Sequence, residues 1–455
     1  MYKISKYLVD VDLQNEERLI FSTRTGELIN ISNELYHFII EKKFNKLNDI
    51  ILLKLLNLKI LIPEDENETD TIINNLILSS NKKSRVLSLT IQPTANCQLG
   101  CQYCGQTHEK LNMSESLVEN TYKYIKNKLE NGIYESLIIT WYGAEPLLGL
   151  NSIKILSKKL IILCNKINIE YSAMMITNGL GLKENIFAEL VQYKILKYQI
   201  TLDGDKVSHD NSRYTKKKGK TFDTIVSNIV MVVSNPLYDE EKCNIVIRCN
   251  VHKNNYKYIN NLIDHLYNLG ISNKVSINFA PVHDWGKNYA EENIGLTPEY
   301  FGELEIDWML RLKEYGFRFI KDLLPDKKSG TCMVTNLDSE LIDAKGRLSY
   351  CWEVPYTPEF DYENSDMFHG NINNIEYKDR KKLPLGNWYE NIKQEDYNTT
   401  CKNCKFLPVC GGDCPVNWYK GFSSCPSFKY NIKDLMVFEY INNKEILNRE
   451  FDLSN

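Results

Sequence analysis

Between residues 85 and 282, six short apolar runs alternate with amphipathic segments, and this alternation limits the possible folds more than any other feature. Helical periodicity marks the intervening segments, at about residues 115–131, 151–167, 185–194, 222–234 and 256–269. The apolar runs are RVLSLTIQP, SLIITWYG, EYSAMMITNG, LKYQITLDG, NIVIRCNV and VSINFAPV. Such alternation predicts a parallel sheet with crossover helices. Six units fall short of a closed eight-stranded barrel, so we expect an α/β fold with an open, partial (β/α)6 TIM-type barrel.

A cysteine-rich loop follows the first of these strands, where barrels of this type place their chemistry. It reads CQLGCQYC and contains Cys97, Cys101 and Cys104. A zinc site has four ligands, so a zinc interpretation needs a remote histidine or cysteine as well. The other interpretation is a [4Fe–4S] cluster, normally held by four thiolates, whose fourth iron is left for an exogenous ligand. The position at the start of the βα array favours the cluster.

The 13 cysteines of the chain indicate a reducing compartment. Disulfide frameworks are typical of small secreted chains, whereas this chain has 455 residues and its first residues lack a secretory signal. No run of about 18 uncharged apolar residues predicts a membrane span, and we expect a cytoplasmic protein. A net charge of -4 without a long basic run gives no indication of nucleic-acid binding. Cys164, Cys243 and Cys249 lie in apolar surroundings and are predicted to be buried core thiols.

A second group of cysteines lies near the C-terminus. Its Cys401 and Cys404 form a Cys-x2-Cys pair, which alone would indicate a zinc ribbon. Cysteine arrays in both parts of one chain favour iron–sulfur ligation instead. The seven members are Cys332, Cys351, Cys401, Cys404, Cys410, Cys414 and Cys425.

The first 62 residues are predicted to form a small α+β unit. Turn residues join the extended stretches KYLVDVD and RLIFSTRTGELINIS, and a hairpin tip is predicted at Gly26. Helices are predicted at 33–42 and 47–58. An acidic segment, PEDENETD, interrupts this pattern before a short helix at 70–79. A charged helix at 431–448 is predicted to close the chain. The length and these breaks predict three domains, at 1–80, 81–325 and 326–455.

The loop CQLGCQYC resembles the signature of the radical S-adenosylmethionine (SAM) superfamily, which is Cys-x3-Cys-x-aromatic-Cys after the first barrel strand. Tyr103 stands at its aromatic position. The resemblance implies that Cys97, Cys101 and Cys104 hold a [4Fe–4S] cluster whose fourth iron is chelated by the amine and carboxylate of SAM. Reductive cleavage of SAM would then give a 5′-deoxyadenosyl radical.

The loops after later strands resemble the SAM-binding motifs of the same superfamily. YGAEP resembles the Gly-Gly-Glu-Pro turn that holds the methionine amine, with Ala144 in place of the second glycine. We expect this turn to keep its function provided that Ala144 does not need a positive φ. The segment ITLDGDKVSHDNSR resembles the fourth-strand segment of peptide-modifying members of the superfamily. We interpret its Asp203 and His209 as a turn-capping pair.

By this resemblance Glu145 supplies a carboxylate for the methionine ammonium group. Thr177 and Asn178 would contact the ribose, and Thr201 and Arg213 the SAM carboxylate. The complete set of implied SAM contacts is Tyr103, Gly143, Ala144, Glu145, Thr177, Asn178, Thr201 and Arg213.

The C-terminal array resembles the SPASM extension of radical SAM enzymes, which holds two auxiliary clusters, so three [4Fe–4S] clusters are implied. Two all-thiolate clusters need eight cysteines and the array supplies seven. Either a side chain such as Asp338 or His283 completes the inner cluster, or one iron is open to a peptide thiolate. The resemblance assigns Cys401, Cys404, Cys410 and Cys425 to the distal cluster and Cys332, Cys351 and Cys414 to the inner cluster.

The N-terminal unit resembles the winged-helix-like domains with which maturases of ribosomally made peptides add a leader strand to a sheet edge. The alternative is a stabilising cap on the barrel. Together the resemblances imply a radical SAM/SPASM peptide maturase, an oxidoreductase that installs a thioether or carbon–carbon cross-link. Its implied partners are a precursor peptide with a leader and a low-potential electron donor of the flavodoxin or ferredoxin type. Neither a nucleic acid nor a membrane is expected as a partner.

Two other functions stay open. Anaerobic sulfatase maturases, which convert Cys or Ser to formylglycine, place an Asp base directly after the second cysteine of the array. Here Trp352 and Glu353 follow Cys351 instead. A non-catalytic iron–sulfur or zinc scaffold would use the same cysteines without cleaving SAM.

Overall fold

A nine-stranded sheet and a smaller three-stranded sheet organise the computed structural model, which describes residues 1–286, 288–319, 322–374, 377–394 and 399–447, with side chains to residue 443. Strands β1–β14 are Tyr2–Ile4, Leu8–Asp12, Glu17–Ser22, Glu27–Ser32, Leu61–Pro63, Val86–Ile91, Ser136–Trp141, Glu170–Thr177, Ile195–Thr201, Asn244–Val251, Val275–Pro281, Ser339–Ile342, Arg347–Ser349 and Phe368–Asn371. Helices α1–α15 are Asn33–Ile40, Asp49–Asn57, Glu68–Asn81, Glu115–Asn131, Leu150–Lys166, Glu184–Gln192, Lys206–Ser212, Phe222–Ser234, Ile259–Asn268, Ala290–Ile294, Pro298–Glu314, Trp388–Lys393, Leu407–Cys410, Pro415–Tyr419 and Phe428–Leu447.

The six predicted barrel strands are β6–β11, which pair side by side in chain order and are parallel throughout. Helices α4, α5, α6, α8 and α9 connect them and cover the outer surface, where Leu89, Ile139 and Ile247 are fully buried. The prediction of an α/β fold with an open, partial barrel is confirmed. The carboxyl ends of the six strands therefore meet at one rim.

Side-chain caps fix where several helices begin. Each capping oxygen accepts a hydrogen bond from a backbone N–H of the first turn, which would otherwise have no partner inside the helix. Helices α1, α2 and α4 accordingly begin within two residues of the positions that the sequence predicts. The capping residues are Ser32, Asn48, Asn67, Ser114 and Thr297.

Three short C-terminal strands extend the barrel sheet. β12 pairs in parallel with β6, and β13 and β14 continue the sheet as antiparallel neighbours. The sequence did not predict these strands, because they are only three or four residues long and contain at least as many polar as apolar residues. The proposed boundary at residues 325 and 326 stays a prediction, and strand pairing joins the segments on its two sides.

Glu340 of β12 forms a buried polar junction with α4 of the barrel. Its carboxylate accepts hydrogen bonds from Tyr124 at 2.7 Å and from His369 at 3.3 Å, and Lys128 Nζ lies 3.1 Å away. Burial alone would raise the pKa of Glu340, but the hydrogen bond from His369 and the charge of Lys128 outweigh burial and lower this pKa to about 2. The junction therefore stabilises the attachment of β12 to the barrel.

Replacement of Glu340 by glutamine is expected to lower the free energy of unfolding at neutral pH by about 3 kcal/mol, the equivalent of a pKa depressed by about two units. Because the folded carboxyl group is the stronger acid, this stabilisation is complete above about pH 4.5 and is lost as the pH falls toward 2. Urea unfolding of both proteins at pH 7 and pH 3 tests this. Glu135, which pairs with Arg85 on the surface, is the control, and E135Q should change stability by less than about 0.5 kcal/mol. A difference for E340Q that is equally large at pH 3 would contradict the electrostatic explanation.

The N-terminal unit packs against the C-terminal helix α15. Strands β2, β3 and β4 form an antiparallel sheet, and the chain turns between β3 and β4 at Gly26, whose φ is +81°. Phe21 and Leu28 of this sheet share one apolar cluster with Leu435 and Met436 of α15. Removal of the N-terminal unit would therefore expose apolar side chains of the C-terminal region.

Within the described residues, the structure contains no helix that is both long and apolar enough to cross a membrane. The predicted closing helix corresponds to α15, which ends at Leu447, so the last predicted position, 448, lies outside the described residues.

Candidate active site

The three N-terminal cysteines lie together in the loop after β6. Cys97, Cys101 and Cys104 interact electrostatically, and burial raises the pKa of Cys97 to about 12 and that of Cys101 to about 11. The backbone N–H of Leu99 donates a hydrogen bond to Cys97 Sγ at 3.4 Å. Thiols with such pKa values stay protonated until a metal binds, because the positive charge of the metal is what stabilises their thiolates.

The arrangement of these thiols fits an iron–sulfur cluster better than a single zinc ion. In the part of the chain that the structure describes, no three His, Cys, Asp or Glu side chains converge as the ligands of one ion would. In a zinc site every sulfur lies about 2.3 Å from the same ion. In a cluster each thiolate binds a different iron, so the sulfurs stand farther apart. The residues present therefore fit a [4Fe–4S] cluster.

Buried polar atoms without partners surround the cysteine loop. Among the described residues, both amide atoms of Gln92, Oε1 of Gln98 and Nε of Arg213 are buried and make no hydrogen bond. Buried polar atoms are almost always paired in native proteins. These orphaned atoms therefore fit a polar molecule such as SAM bound beside the loop.

The turn YGAEP has the backbone of a left-handed turn at two successive positions. Gly143 has a φ of +87°, and Ala144 has a φ of +48°, so the condition that Ala144 avoid a positive φ is not met. Glu145 is fully buried, and its carboxylate accepts hydrogen bonds from the N–H groups of Leu147 (3.0 Å) and Asn178 (2.8 Å) and from a threonine hydroxyl described below. These protein donors hold the carboxylate of Glu145 in the turn, and its expected contact with the SAM ammonium group stays a prediction.

Replacement of Ala144 by glycine is expected to raise the free energy of unfolding by up to about 1 kcal/mol, since left-handed strain costs an alanine about 1–2 kcal/mol and the flexibility of glycine offsets part of this. SAM affinity should be retained. The opposite change at the neighbouring position, Gly143→Ala, should weaken SAM binding, because the new Cβ would lie 2.5 Å from Gln92 Cγ. Urea unfolding and calorimetric titration with SAM measure the two effects. Wild-type SAM affinity in G143A would contradict the role of this turn.

The predicted ribose contacts, Thr177 and Asn178, lie at the carboxyl end of β8. The hydroxyl of Thr177 donates to Glu145 at 2.7 Å and accepts from the N–H of Gly179 at 3.1 Å. This hydroxyl is hydrogen-bonded within the protein, and its expected contact with the ribose stays a prediction. Asn178 lies beside the triad, with Nδ2 4.0 Å from Cys97 Sγ, and its SAM contact stays a prediction.

Tyr103, the aromatic residue of the cysteine motif, is the centre of a buried polar network. Its hydroxyl donates to Asp203 and accepts from Arg213 at 2.6 Å and from Asn250 at 3.0 Å. Nε of Arg213 lies 3.9 Å from Asp203 Oδ2 and makes no hydrogen bond among the described residues. Thr201 is the last residue of β9, and Asp203 of this network follows it by two residues in the chain. Arg213 therefore keeps one donor available for a SAM carboxylate beside Cys101.

The pair Asp203 and His209 is linked differently from the predicted cap. His209 Nδ1 accepts the backbone N–H of Asp203 at 3.1 Å, and burial lowers the pKa of His209 to about 3, which keeps this nitrogen a neutral acceptor. The carboxylate of Asp203 binds Tyr103 and the N–H of Asn250 instead of capping a turn. The cap of α7 is Asp205, whose side chain accepts the N–H of Ser208.

The four cysteines assigned to the distal cluster line one small cavity. Lys429 Nζ lies 3.2 Å from Cys425 Sγ, so a positive charge stands next to this thiol. Burial raises the pKa of Cys401 to about 11. Such an enclosed set of four thiols fits a cluster with four thiolate ligands. The members are Cys401, Cys404, Cys410 and Cys425.

The three cysteines assigned to the inner cluster also lie together. Cys351 interacts electrostatically with Cys332 and Cys414, and burial raises the pKa of Cys414 to about 12. Asp338, one suggested fourth ligand, is occupied elsewhere: its carboxylate accepts the N–H of Ser84 at 2.6 Å and the hydroxyl of Tyr134 at 2.7 Å. These contacts are at the amino ends of the strands, opposite the catalytic rim. The suggestion that Asp338 is a ligand is therefore wrong.

The other suggested ligand, His283, forms an ion pair with Glu353, which the sequence interpretation did not assign. His283 Nε2 lies 2.9 Å from Glu353 Oε1, and Glu353 interacts electrostatically with Cys351 and Cys414. Oε2 of Glu353 is buried and has no partner in the described part of the chain. Glu353 is therefore better placed than Asp338 to complete the inner site.

Aromatic and charged side chains lie between the two cysteine sites, in a region called the cleft below. Tyr142 follows β7 and packs against Trp352, with ring centroids 5.1 Å apart. The buried phenol of Tyr142 interacts with Cys104 of the triad and with Glu353 and Cys351 of the inner site. Arg248, also missed, is the single basic residue of the apolar run NIVIRCNV, and that contrast is the signal that could have identified it.

Residues 91–294 match the family model of the Radical SAM superfamily. This part of the chain is therefore a radical SAM domain, which implies SAM and a [4Fe–4S] cluster as cofactors. A curated relative is the Cysteine-type anaerobic sulfatase-maturating enzyme of Clostridium novyi (strain NT). The two chains are 24% identical over 390 residues, which cover 75% of this chain and 93% of the relative.

Two solved structures share the fold. The structure of native anSMEcpe with bound AdoMet and Kp18Cys peptide has a TM-score of 0.58 at 18% identity, and the match covers 78% of this chain and 99% of that chain. The structure of Streptococcus suis SuiB bound to precursor peptide SuiA has a TM-score of 0.51 at 18% identity, with 92% of this chain and 96% of that chain covered. At these identities the similarity establishes the fold.

Proposed function

We propose that this chain is a radical SAM enzyme that forms a thioether or carbon–carbon cross-link in a ribosomally made peptide. One observation carries the proposal: Tyr142 interacts electrostatically with Cys104 on one side and with Cys351 on the other, so the cysteine triad and the inner array border the same cleft. A peptide in this cleft would contact both sites. The match of anSMEcpe and SuiB, each solved with a bound peptide, supports a peptide substrate.

The chemistry needs two functions that the cleft residues fit. SAM and its cluster, when bound, supply a 5′-deoxyadenosyl radical that takes a hydrogen atom from the peptide. A cross-link then requires the loss of one further proton and one electron as the new bond forms. Cys332, Cys351 and Cys414 are positioned to hold an auxiliary cluster that accepts this electron. Trp352 and Tyr142 pack against each other and would limit the access of water to the reacting carbon once a peptide is bound.

The N-terminal sheet has an exposed edge that fits a leader strand. The N–H of Leu13 donates to the carbonyl of Glu17, so by alternation the backbone of Asp10 points away from β3. Of the two edge strands, β2 is the more exposed, since four of the six residues of β4 are buried. A leader peptide is therefore proposed to add to β2 through main-chain hydrogen bonds.

Replacement of Asp10 by proline is expected to weaken binding of the full-length precursor peptide about tenfold or more, because proline removes the outward N–H group that an added strand needs. Asp10→Ala is the matched control, since it also removes the ion pair of Asp10 with Arg18 but keeps the N–H. Peptide binding is measured by fluorescence anisotropy with candidate precursors encoded beside this chain, with and without their leaders. Uncoupled SAM cleavage reports whether the barrel is intact. Equal affinities of D10P and D10A would indicate that this unit is a stabilising cap.

The surface over the distal cysteines fits an acidic electron-transfer partner. Residues 399–433 contain five lysines and a single acidic residue, Asp413, although the whole chain is negative. Lys405 and Lys433 are exposed there, together with the aromatic side chains of Tyr419 and Phe422. A donor of the flavodoxin or ferredoxin type would be attracted to such a surface and would lie close to the distal cluster.

The second candidate function is sulfatase maturation, which the curated relative from Clostridium novyi favours. Against it, Trp352 stands where those maturases have their Asp base. The deciding experiment is anaerobic incubation of reconstituted protein with SAM, dithionite and either a candidate precursor or a cysteine-containing sulfatase peptide. Loss of two hydrogens from the precursor supports the proposal, and an aldehyde in the sulfatase peptide would replace it. Protein that forms no 5′-deoxyadenosine with either peptide would be a non-catalytic scaffold.

A further inference from the structure

Arg248 lies in the middle of β10 and points into the barrel lumen. Its neighbours Ile247 and Cys249 are fully buried in the core that packs against the helices, and alternation along a strand places Arg248 on the opposite side. In register with it stand Thr201 of β9 and Asn278 of β11. Three polar side chains therefore share one level of the lumen, at the carboxyl end of β9.

The guanidinium group of Arg248 forms no close ion pair in the described part of the chain: its strongest charge interaction is with Asp203, which Arg213 shares. Nε donates to Oδ1 of Asn250 at 3.1 Å, but no carboxylate oxygen lies within 4 Å of the group. A charge in a desolvated site is costly unless it is paired. Two other buried or partly buried arginines form ion pairs: Arg24 with Glu66 and Glu68, and Arg347 with Asp343 and Asp361. Arg380 donates instead to the backbone carbonyl oxygens of Met333, Leu337 and Ser339.

Arg248 lies near Asp203 and Tyr103 of the buried network and also faces the cleft. It interacts electrostatically with Tyr142, which borders both cysteine sites, and with His283 of the inner site. Arg213, by contrast, has Cys101 of the triad as its strongest charged neighbour. Arg213 is therefore the better partner for a SAM carboxylate, and Arg248 is left for a second anion.

We propose that Arg248 binds a carboxylate of the peptide substrate, so that the residue to be modified lies next to an aspartate, a glutamate or the chain terminus. This inference rests on the proposed function, because it requires a peptide in the cleft. A guanidinium group and a carboxylate form two parallel hydrogen bonds, which would fix the orientation of the peptide beside the reacting carbon. The site thereby selects an acidic peptide sequence.

The first test needs no peptide. Arg248→Met keeps the length of the side chain and removes its charge, so the midpoint of thermal unfolding of the SAM-free holoenzyme should rise by a few degrees. Arg347→Met is the matched control and should lower the midpoint, since it leaves Asp343 and Asp361 without their partner. A decrease for R248M comparable to that for R347M would show that Arg248 has protein partners and would overturn the proposal.

The second test uses acetate as the carboxylate probe, with SAM bound and chloride at equal ionic strength as the reference. Acetate should raise the midpoint of the wild type more than chloride does, and R248M should bind acetate about tenfold more weakly. Equal acetate effects in both proteins would overturn the proposal. SAM alone should raise the midpoint of both proteins equally, and loss of this increase in R248M would assign Arg248 to the SAM carboxylate instead. Formation of 5′-deoxyadenosine by the wild type tests the proposed function separately, because the acetate result does not depend on catalysis.

Discussion

Replacement of Cys97, Cys101 and Cys104 by alanine is expected to abolish SAM cleavage and to remove about four irons per chain. The reason is that the three thiols lie together in one loop, where they would be the protein ligands of one cluster. The two C-terminal cysteine sites have separate ligands and should keep their iron. Iron analysis, Mössbauer spectroscopy and chromatography of 5′-deoxyadenosine after reduction with dithionite measure these effects.

The matched control replaces the three cysteines that are not assigned to any cluster. Cys164, Cys243 and Cys249 are buried core thiols, as the sequence predicts, with at most 2% of each side chain exposed. Alanine at these positions creates small cavities and should lower stability, while the iron content stays the same. A triad variant that still forms 5′-deoxyadenosine would end the radical SAM assignment of this site. Loss of iron in the control variant would show that the cysteine assignments are incomplete.

The barrel could be predicted from the sequence because each of its strands and helices has a recognisable pattern within its own short segment. Strands β6–β11 are each a continuous apolar run, and the helices between them carry a regular apolar pattern. The spacing of Cys97, Cys101 and Cys104 is equally local, since all three stand in one loop. Short strands such as β12–β14 have no such pattern. They are extended because neighbouring strands pair with them, and their composition alone does not predict this.

The details of the site depend on side-chain contacts between segments that are distant in the sequence. Thr177 follows a strand as a ribose-binding residue would, but its hydroxyl binds Glu145 of another loop. Ala144 has a left-handed backbone that nothing in its residue type predicts. Arg248 forms no close ion pair, because the residues in register with it on β9 and β11 are Thr201 and Asn278. Each of these outcomes is set by tertiary contacts that the sequence pattern does not contain.

The identity of the fourth ligand of the inner cluster also depends on tertiary contacts. Asp338 is near the array in sequence, yet its carboxylate is used by Ser84 and Tyr134 at the far end of the sheet. Glu353, two residues after Cys351, has one buried oxygen without a partner in the described chain. We therefore propose two states for this site: Glu353 completes the inner cluster before the peptide binds, or a peptide thiolate takes that place.

Replacement of Cys332, Cys351 and Cys414 by alanine is expected to abolish peptide cross-linking while uncoupled SAM cleavage continues. The physical reason is that hydrogen removal needs only the triad site, whereas closure of the new bond must release an electron to an acceptor beside the cleft. Anaerobic assays that follow 5′-deoxyadenosine and the mass of a candidate precursor peptide distinguish the two steps. Glu353→Ala is the informative companion variant, because it removes the candidate fourth ligand and leaves the three thiols in place. Cross-linking at the wild-type rate in the triple variant would show that the inner array has no part in the reaction, and the electron would then need another acceptor near Tyr142.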